Sequence, residues 1–352
     1  MTTAPHNVMG TWRMLRPPQR LSPEMTMSSP APRTSRAFTA YAWIFLVYLL
    51  AVILFGAWVR ITGSGAGCGS HWPTCHGEII PPSPNVQTII EYTHRLTSGF
   101  LGILGIILMG WSWRIFKSHP VFWASVITFI FILFEGAIGA GLVLAELVAD
   151  DDSVARAVVI AIHLVNTLIL SGATAFTAWL SGGRELPRLR CGGVFRALLL
   201  VGMLGLIATS MSGAVTALGD TLFPVDPTVG GGLVDRVRGD LSAANHFLVR
   251  LRIFHPVIAV GTAAYLLVVG WIVKVREPSP QALTWANVVI ALVIGQTMVG
   301  VFNILLSAPG WVQLLHLLVA QVLWIATLFL ASTLMQPGTS IHHQSANLSA
   351  EP

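Results

Sequence analysis

Apolar runs of about twenty residues recur along the chain, separated by short polar stretches. A helix needs roughly 20 apolar residues to cross about 30 Å of hydrocarbon. The runs predict eight such spans, at about 38–58, 96–115, 121–145, 155–180, 195–217, 249–273, 282–306 and 312–335. None shows the ten-residue alternation of a membrane barrel, and helices satisfy their own backbone groups in lipid. The expected fold class is an all-α integral membrane protein. Composition agrees, with 10% charged residues in 352 against about a quarter in a soluble domain. Residues 1–37 and 336–352 are polar and read as disordered arms, and neither has the short apolar core and cleavage site of a removed signal peptide.

The basic residues orient the spans. Arg13, Arg16, Arg20, Arg33 and Arg36 precede the first span, Arg114 and Lys117 follow the second, and Arg184, Arg188, Arg190 and Arg196 follow the fourth. Lys274 and Arg276 follow the sixth. All fall on one side, which places both termini in the cytoplasm and the protein in the cell membrane, among lipid. The net charge of +5 is absorbed by this topology and gives no reason to expect nucleic acid. A homo-oligomer is compatible with such a chain.

The spans are also duplicated. Gly56-Ala-Trp-Val-Arg-Ile-Thr-Gly at the end of the first resembles Gly213-Ala-Val-Thr-Ala-Leu-Gly at the end of the fifth. His94 lies 161 residues before His255, and Glu135-x-x-x-Gly139 the same 161 before Gln296-x-x-x-Gly300. His163 pairs with His316 at a slightly shorter offset. Each half holds an even number of spans, so the halves share one topology about an axis along the membrane normal. The expected architecture is two tandem four-helix bundles related by a pseudo-two-fold, 38–181 and 195–335, joined by a cytoplasmic linker at 182–194.

Of the 11 histidines, only His94, His163, His255 and His316 fall in the helices, each near the outer end of an even-numbered span. A single intramembrane histidine is commonly an interhelical hydrogen bond; four at matched positions point to a site. A structural zinc wants four ligands on one ion, usually with thiolates. Two ligands per bundle suit an iron porphyrin, whose ring leaves two axial positions. Small residues beside the ligands, such as Ser98-Gly99, fit a flat ring and fit close helix packing equally well.

Glu91 precedes His94 by three residues and shares its helix face, whereas the second half has Arg252 in the equivalent place. Between the first two spans lies TGSGAGCGSHWPTCHGEIIPP, Thr62 to Pro82, with Cys68 and Cys75. This loop, together with Glu91-x-x-His94-Arg95, resembles the haem A synthase family over roughly residues 38–335. The resemblance implies an oxidoreductase that converts haem O to haem A for cytochrome oxidase, by two successive hydroxylations of one porphyrin methyl group. It implies that His255 and His316 hold a permanent haem b, and that His94 and His163 bind the substrate haem O. Glu91 would act in proton transfer or steady a charged intermediate. Haem O synthase and the cytochrome oxidase assembly machinery are the partners it implies. His255-Pro256 departs from the family pattern of His-Arg, a loss that Arg250 or Arg252 is placed to cover.

Other residues keep two readings. Cys68 and Cys75 read as a structural bridge shaping the loop, or as a reversible dithiol, or as free thiols; with His71 and His76 they also mimic a zinc knuckle, at unsuitable spacing. Arg60 and Arg95 suit haem carboxylates or lipid headgroups. Glu135 and Gln296 favour interhelical hydrogen bonds over a proton path, and His246 reads as a surface residue. A bis-histidine dihaem cytochrome, moving electrons between quinol and a redox partner, explains the four histidines but gives Glu91 and the cysteines no task. A duplicated transporter explains only the repeat.

Overall fold

A computed structural model describes residues 1–2, 34–187, 193–224, 238–277 and 279–336, and every contact below lies within Arg33–Pro352. Most of the expected N-terminal arm, most of the tail and the middle of the 182–194 linker lie outside the described residues.

Eight helices are long and apolar enough to cross a membrane: α1 (Arg36–Ile61), α2 (Val86–Phe116), α3 (Pro120–Leu144), α4 (Val154–Ser181), α5 (Gly193–Leu222), α6 (Phe247–Arg276), α7 (Pro280–Leu305) and α8 (Gly310–Leu334). Helix α6 is broken by a turn at Arg252 and Ile253 into Phe247–Leu251 and Phe254–Arg276. No strand occurs among the described residues. This is an all-α, multi-pass membrane protein, as the apolar runs predict.

Polar caps start the helices. The side chains of Ser35, Asn85, Ser153 and Ser279 each accept a hydrogen bond from the amide three residues on, satisfying donors that lipid cannot. Pro120 and Pro280 occupy first turns, where a missing N–H costs nothing. Two boundaries differ from the hydropathy reading. Helix α2 begins ten residues earlier than expected, because its first turns carry Gln87, Thr88, Glu91 and Arg95, which an apolar window rejects. Helix α5 runs on to Leu222, so the first residues beyond the expected span 195–217 are helix.

Helix α1 packs on α2 and α4, α2 on α3, and α3 on α4; α5 packs on α6 and α8, α6 on α7, and α7 on α8. These are two closed four-helix rings. Between them α4 meets α5, α1 meets α8, and α4 meets α8. Exchanging α1 with α5 and α4 with α8 turns that set into itself, which is consistent with a pseudo-two-fold relation between the halves.

Helices α4 and α8 are the most buried spans and carry the contact between the rings. The indole Nε1 of Trp324 donates to the Leu168 carbonyl at 2.7 Å, and Ser171 Oγ donates to Gln321 Oε1 at 2.8 Å. Further along, Trp179 stacks on Phe329 with centroids 4.4 Å apart. A Cβ on Gly172 would stand 2.9 Å from Trp324 Nε1. Gly172→Val therefore forces α4 and α8 apart, at a cost of about 1–3 kcal/mol. A lower Tm in detergent is expected for it, and no comparable loss for Gly110→Val, whose added Cβ would meet nothing within 4 Å.

Candidate functional site

The loop between α1 and α2 is closed by a disulfide between Cys68 and Cys75, with Cα atoms 4.5 Å apart. Both cysteines are fully buried, so the bridged reading holds and the zinc-knuckle reading falls: the thiolates it needs are tied up. No group of three or more potential metal-ligating side chains occurs among the described residues.

The loop is pinned to one stripe of α2. Thr88 Oγ1 donates to the Gly67 carbonyl at 2.6 Å, Tyr92 Oη to the Ile79 carbonyl, and Arg95 to the carbonyls of His71 (2.6 Å) and Thr74 (2.7 Å). Glu91 Oε2 accepts the Cys68 amide at 2.8 Å, while Oε1 pairs with Arg95. Positions 88, 91, 92 and 95 follow the i, i+3, i+4, i+7 spacing of one helical face. Gly67 is required here, because a Cβ on it would lie 2.4 Å from the Gln87 carbonyl oxygen. Glu91 is thus 3% exposed, with an ion pair and a backbone amide on its two oxygens, and it borders the same cavity as His94.

All four helix histidines line one continuous cavity of about 2130 Å³, well beyond the roughly 300–1,000 Å³ of a single small-ligand pocket. Three of the rings are seated against glycine backbone. A Cβ on Gly56 would lie 3.0 Å from His94 Cε1, one on Gly213 would lie 2.9 Å from His255 Cε1, and one on Gly300 would lie 3.1 Å from His316 Cε1. Gly139, the repeat mate of Gly300, has nothing within 4 Å; His163 instead meets Glu135, with Nδ1 to Oε1 at 3.5 Å.

His255 and His316 face each other with ring centroids 6.3 Å apart and planes at 90°. Two imidazoles sharing one metal at about 2 Å per bond, with each ring centre about 1 Å further back, stand about 6 Å apart. His255 Nδ1 lies 3.2 Å from the Thr209 carbonyl and 3.1 Å from Ser212 Oγ, which leaves Nε2 as its ligating atom. The spacing and the tautomer both fit a bis-histidine haem.

Four arginines border the cavity. Arg60 donates to the Ala217 carbonyl, to Thr221 Oγ1 and to Gln313 Oε1, so a residue of the first half is bound by the second. Arg95 serves the cysteine loop. Arg252 donates to the carbonyls of Phe223 (2.8 Å) and Gly219 (3.4 Å) and lies 3.5 Å from Asp220. Arg156 donates to the carbonyls of Ala149 and Asp151, and its Nε has no hydrogen-bond partner among the described residues. Sequence reasoning passed over Arg156, Asp220 and Gln313. Arg156 was findable, since it stands two turns before His163 on the same face of an apolar helix. His246 is less superficial than expected: it stacks on Phe223 at 4.9 Å and its Nε2 lies 3.4 Å from Asp152.

A family model described as "Cytochrome oxidase assembly protein" and named COX15-CtaA matches residues 39–328. The chain belongs to this family. Among curated relatives, "Protoheme IX farnesyltransferase" of Thermus thermophilus is 45% identical over 310 residues, 87% of this chain and 50% of that protein. The chain spans about half the length of that relative. "Heme A synthase" of Alkalihalophilus pseudofirmus is 29% identical over 309 residues, 84% of this chain and 97% of that protein. "Heme A synthase" of Shouchella clausii is 46% identical over 96 residues, 27% of this chain. The COX15-CtaA match spans all eight helices in part or whole, and with them every histidine of the cavity.

The glycine seats give a direct test of the ligand geometry. Gly213→Val pushes the His255 ring from its place and is expected to weaken haem binding at the second-half pair by about tenfold or more, read by absorbance titration of the purified protein. Gly261→Val, on α6 with His255, where an added Cβ would meet nothing within 4 Å, should bind as the parent does.

Proposed function

We propose that the chain is a haem A synthase, oxidising one methyl group of haem O to a formyl group by two successive hydroxylations. The observation that carries this reading is an asymmetric pair of like sites: two histidine pairs in one cavity, with a glutamate one helical turn before the histidine and a disulfide-closed loop at only one of them. In this reading the 38–181 half takes the substrate haem O between His94 and His163. The 195–335 half keeps a haem b between His255 and His316, which supplies one-electron redox chemistry when bound. The relatives named for haem A synthesis support the activity. The Thermus relative, named for farnesylating protohaem, supports a working association with the enzyme that supplies farnesylated haem. Basic-residue placement supports a cell-membrane protein with both termini cytoplasmic and the cysteine loop outside.

The chain's residues divide the work by position. Gly56 lets α1 close on His94, so the imidazole is oriented before substrate arrives. The cysteine loop, fastened along α2, covers that end of the cavity and excludes bulk water. Arg60, Arg95, Arg156 and Arg252 gather positive charge at the cavity edge, where the carboxylates of a porphyrin find bidentate partners. Glu91 is held by Arg95 and the Cys68 amide beside the reacting half, which makes it the group to take or return a proton there. A positioned acid–base group of this kind contributes about 10²–10⁴-fold.

The test is expression with a protohaem farnesyltransferase in a host lacking haem A, followed by extraction and chromatography of the haems. Haem A, or its alcohol precursor, is expected. Haem-loaded protein that yields neither would leave the electron-transferring dihaem cytochrome as the reading. Glu91→Gln keeps the acceptor for the Cys68 amide but loses the charge paired with Arg95; it should retain bound haem while conversion falls by about 10²–10⁴-fold. His316→Ala should strip the resident haem b and His94→Ala should spare it; equal loss in both would sink the division between the halves.

A further inference from the structure

The repeat-related side chains beside the histidines of α4 and α8 are chemically different and meet different ring nitrogens. In the first half, Glu135 Oε1 accepts from Thr167 Oγ1 and Oε2 from Asn166 Nδ2. Asn166 is itself anchored to the Phe131 carbonyl, and the single hydroxyl proton of Thr167 lies between Glu135 and the His163 carbonyl, so the carboxylate is flanked on both sides. Its Oε1 stands 3.5 Å from His163 Nδ1, a buried nitrogen with no hydrogen-bond partner among the described residues. In the second half the carboxylate is replaced by Gln296, and the positions equivalent to Asn166 and Thr167 hold Val319 and Ala320. Gln296 presents its amide nitrogen to His316 Nε2 at 3.3 Å and leaves His316 Nδ1 without a partner. The whole acceptor assembly therefore belongs to one half.

We infer that Glu135 is a positioning residue that acts through His163, accepting its Nδ1 proton in a hydrogen bond and making that imidazole a stronger electron donor than any ligand of the other half. The inference rests on the reading of His94 and His163 as a haem-binding pair. A ligating histidine with one nitrogen on the metal donates through the other, and a carboxylate acceptor raises its basicity more than a carbonyl or an amide does. His255 has only the Thr209 carbonyl and a hydroxyl behind it. A stronger donor favours ferric over ferrous iron, so haem bound in the first half has the lower reduction potential. The same carboxylate fixes the ring's rotation, which a neutral side chain does less well.

The test is a spectroelectrochemical titration of the haem-loaded protein, with His94→Ala identifying the first-half signal. Glu135→Gln is expected to shift that signal's reduction equilibrium at least tenfold toward the ferrous state, 59 mV for one electron, and to leave the second-half signal in place. Thr167→Val, nearly isosteric, frees Oε1 from its other donor and should shift the same signal the opposite way. A His163→Gly protein rescued by imidazole should still respond to Glu135→Gln, whereas one rescued by 1-methylimidazole, which has no proton to donate, should not. An equal response to both rescues would mean that charge alone acts, and would overturn the inference, as would an unmoved potential in both single variants. A signal unaffected by His94→Ala or His163→Ala would overturn the functional reading and the inference together.

Discussion

An imidazole ring lying against bare helix backbone sets the spacing of this molecule. Gly56, Gly213 and Gly300 each bring their helix to within contact of a histidine on the next one, so the pairs α1–α2, α5–α6 and α7–α8 stand one ring apart. Any side chain at these positions would widen the pair or turn the ring, because packed interiors have no slack for an added methyl. Lipid supplies no hydrophobic drive between helices, so such close contacts between small residues and neighbours carry much of the association. The four histidines and their glycine seats border a cavity otherwise lined largely by apolar side chains such as Leu49, Ile132, Leu206 and Val293, beside a buried apolar core that runs through the spans.

The duplication reaches further than the four histidines, and its departures are informative. Gly67 presses the cysteine loop on the Gln87 carbonyl, and Gly219 presses the end of α5 on the Leu248 carbonyl, with Gln87 and Leu248 occupying repeat-related positions. Just beyond, Glu91 accepts the Cys68 amide in one half and Arg252 donates to the Gly219 carbonyl in the other. The two side chains hold equivalent pieces of backbone with opposite polarity. One mechanical task is thus kept in both halves, while the charge delivered to the cavity edge is inverted. Glu135 and Gln296 repeat the lesson at His163 and His316: each reaches toward its imidazole, and only one brings a negative charge.

Much of this could be read from residues alone, where the signal was local or periodic. Eight spans, the duplication and the four histidines follow from apolar length and matched spacing. The start of α2 could not, because hydropathy discards the polar turns that a bound loop later satisfies; the cysteine loop takes up polar atoms of Thr88, Glu91, Tyr92 and Arg95. The Glu91 partners were equally hidden: i, i+3 spacing shows that it shares a face with His94, while Arg95 and the Cys68 amide, which occupy its oxygens, depend on where the loop folds. Arg60 by its place in the sequence suits a haem carboxylate or a lipid headgroup, and its bonds to the other half come from packing of the rings, which no window of sequence contains.

Arg60 also shows why the repeat could not stay perfect. Gly56 and Gly213 are repeat mates, so the mate of Arg60 is Ala217, and Arg60 donates to the carbonyl of that very residue. Where a residue touches its own repeat mate, it sits close to the pseudo-two-fold axis. Two arginines there would bring two guanidinium groups of like charge together away from bulk water, a costly arrangement. Ala217 on the second side leaves room for one. Thr221 and Gln313 complete its hydrogen bonds, and removing a partner from a buried charge costs about 3–5 kcal/mol. A single guanidinium therefore takes this place, and it spans the halves one turn beyond both glycines that seat His94 and His255. A shift of α1 at Arg60 is a shift at Gly56, and a shift of α5 at Ala217 is a shift at Gly213. The two histidine seats are joined through one guanidinium, so the position of either ring is referred to the other half of the molecule.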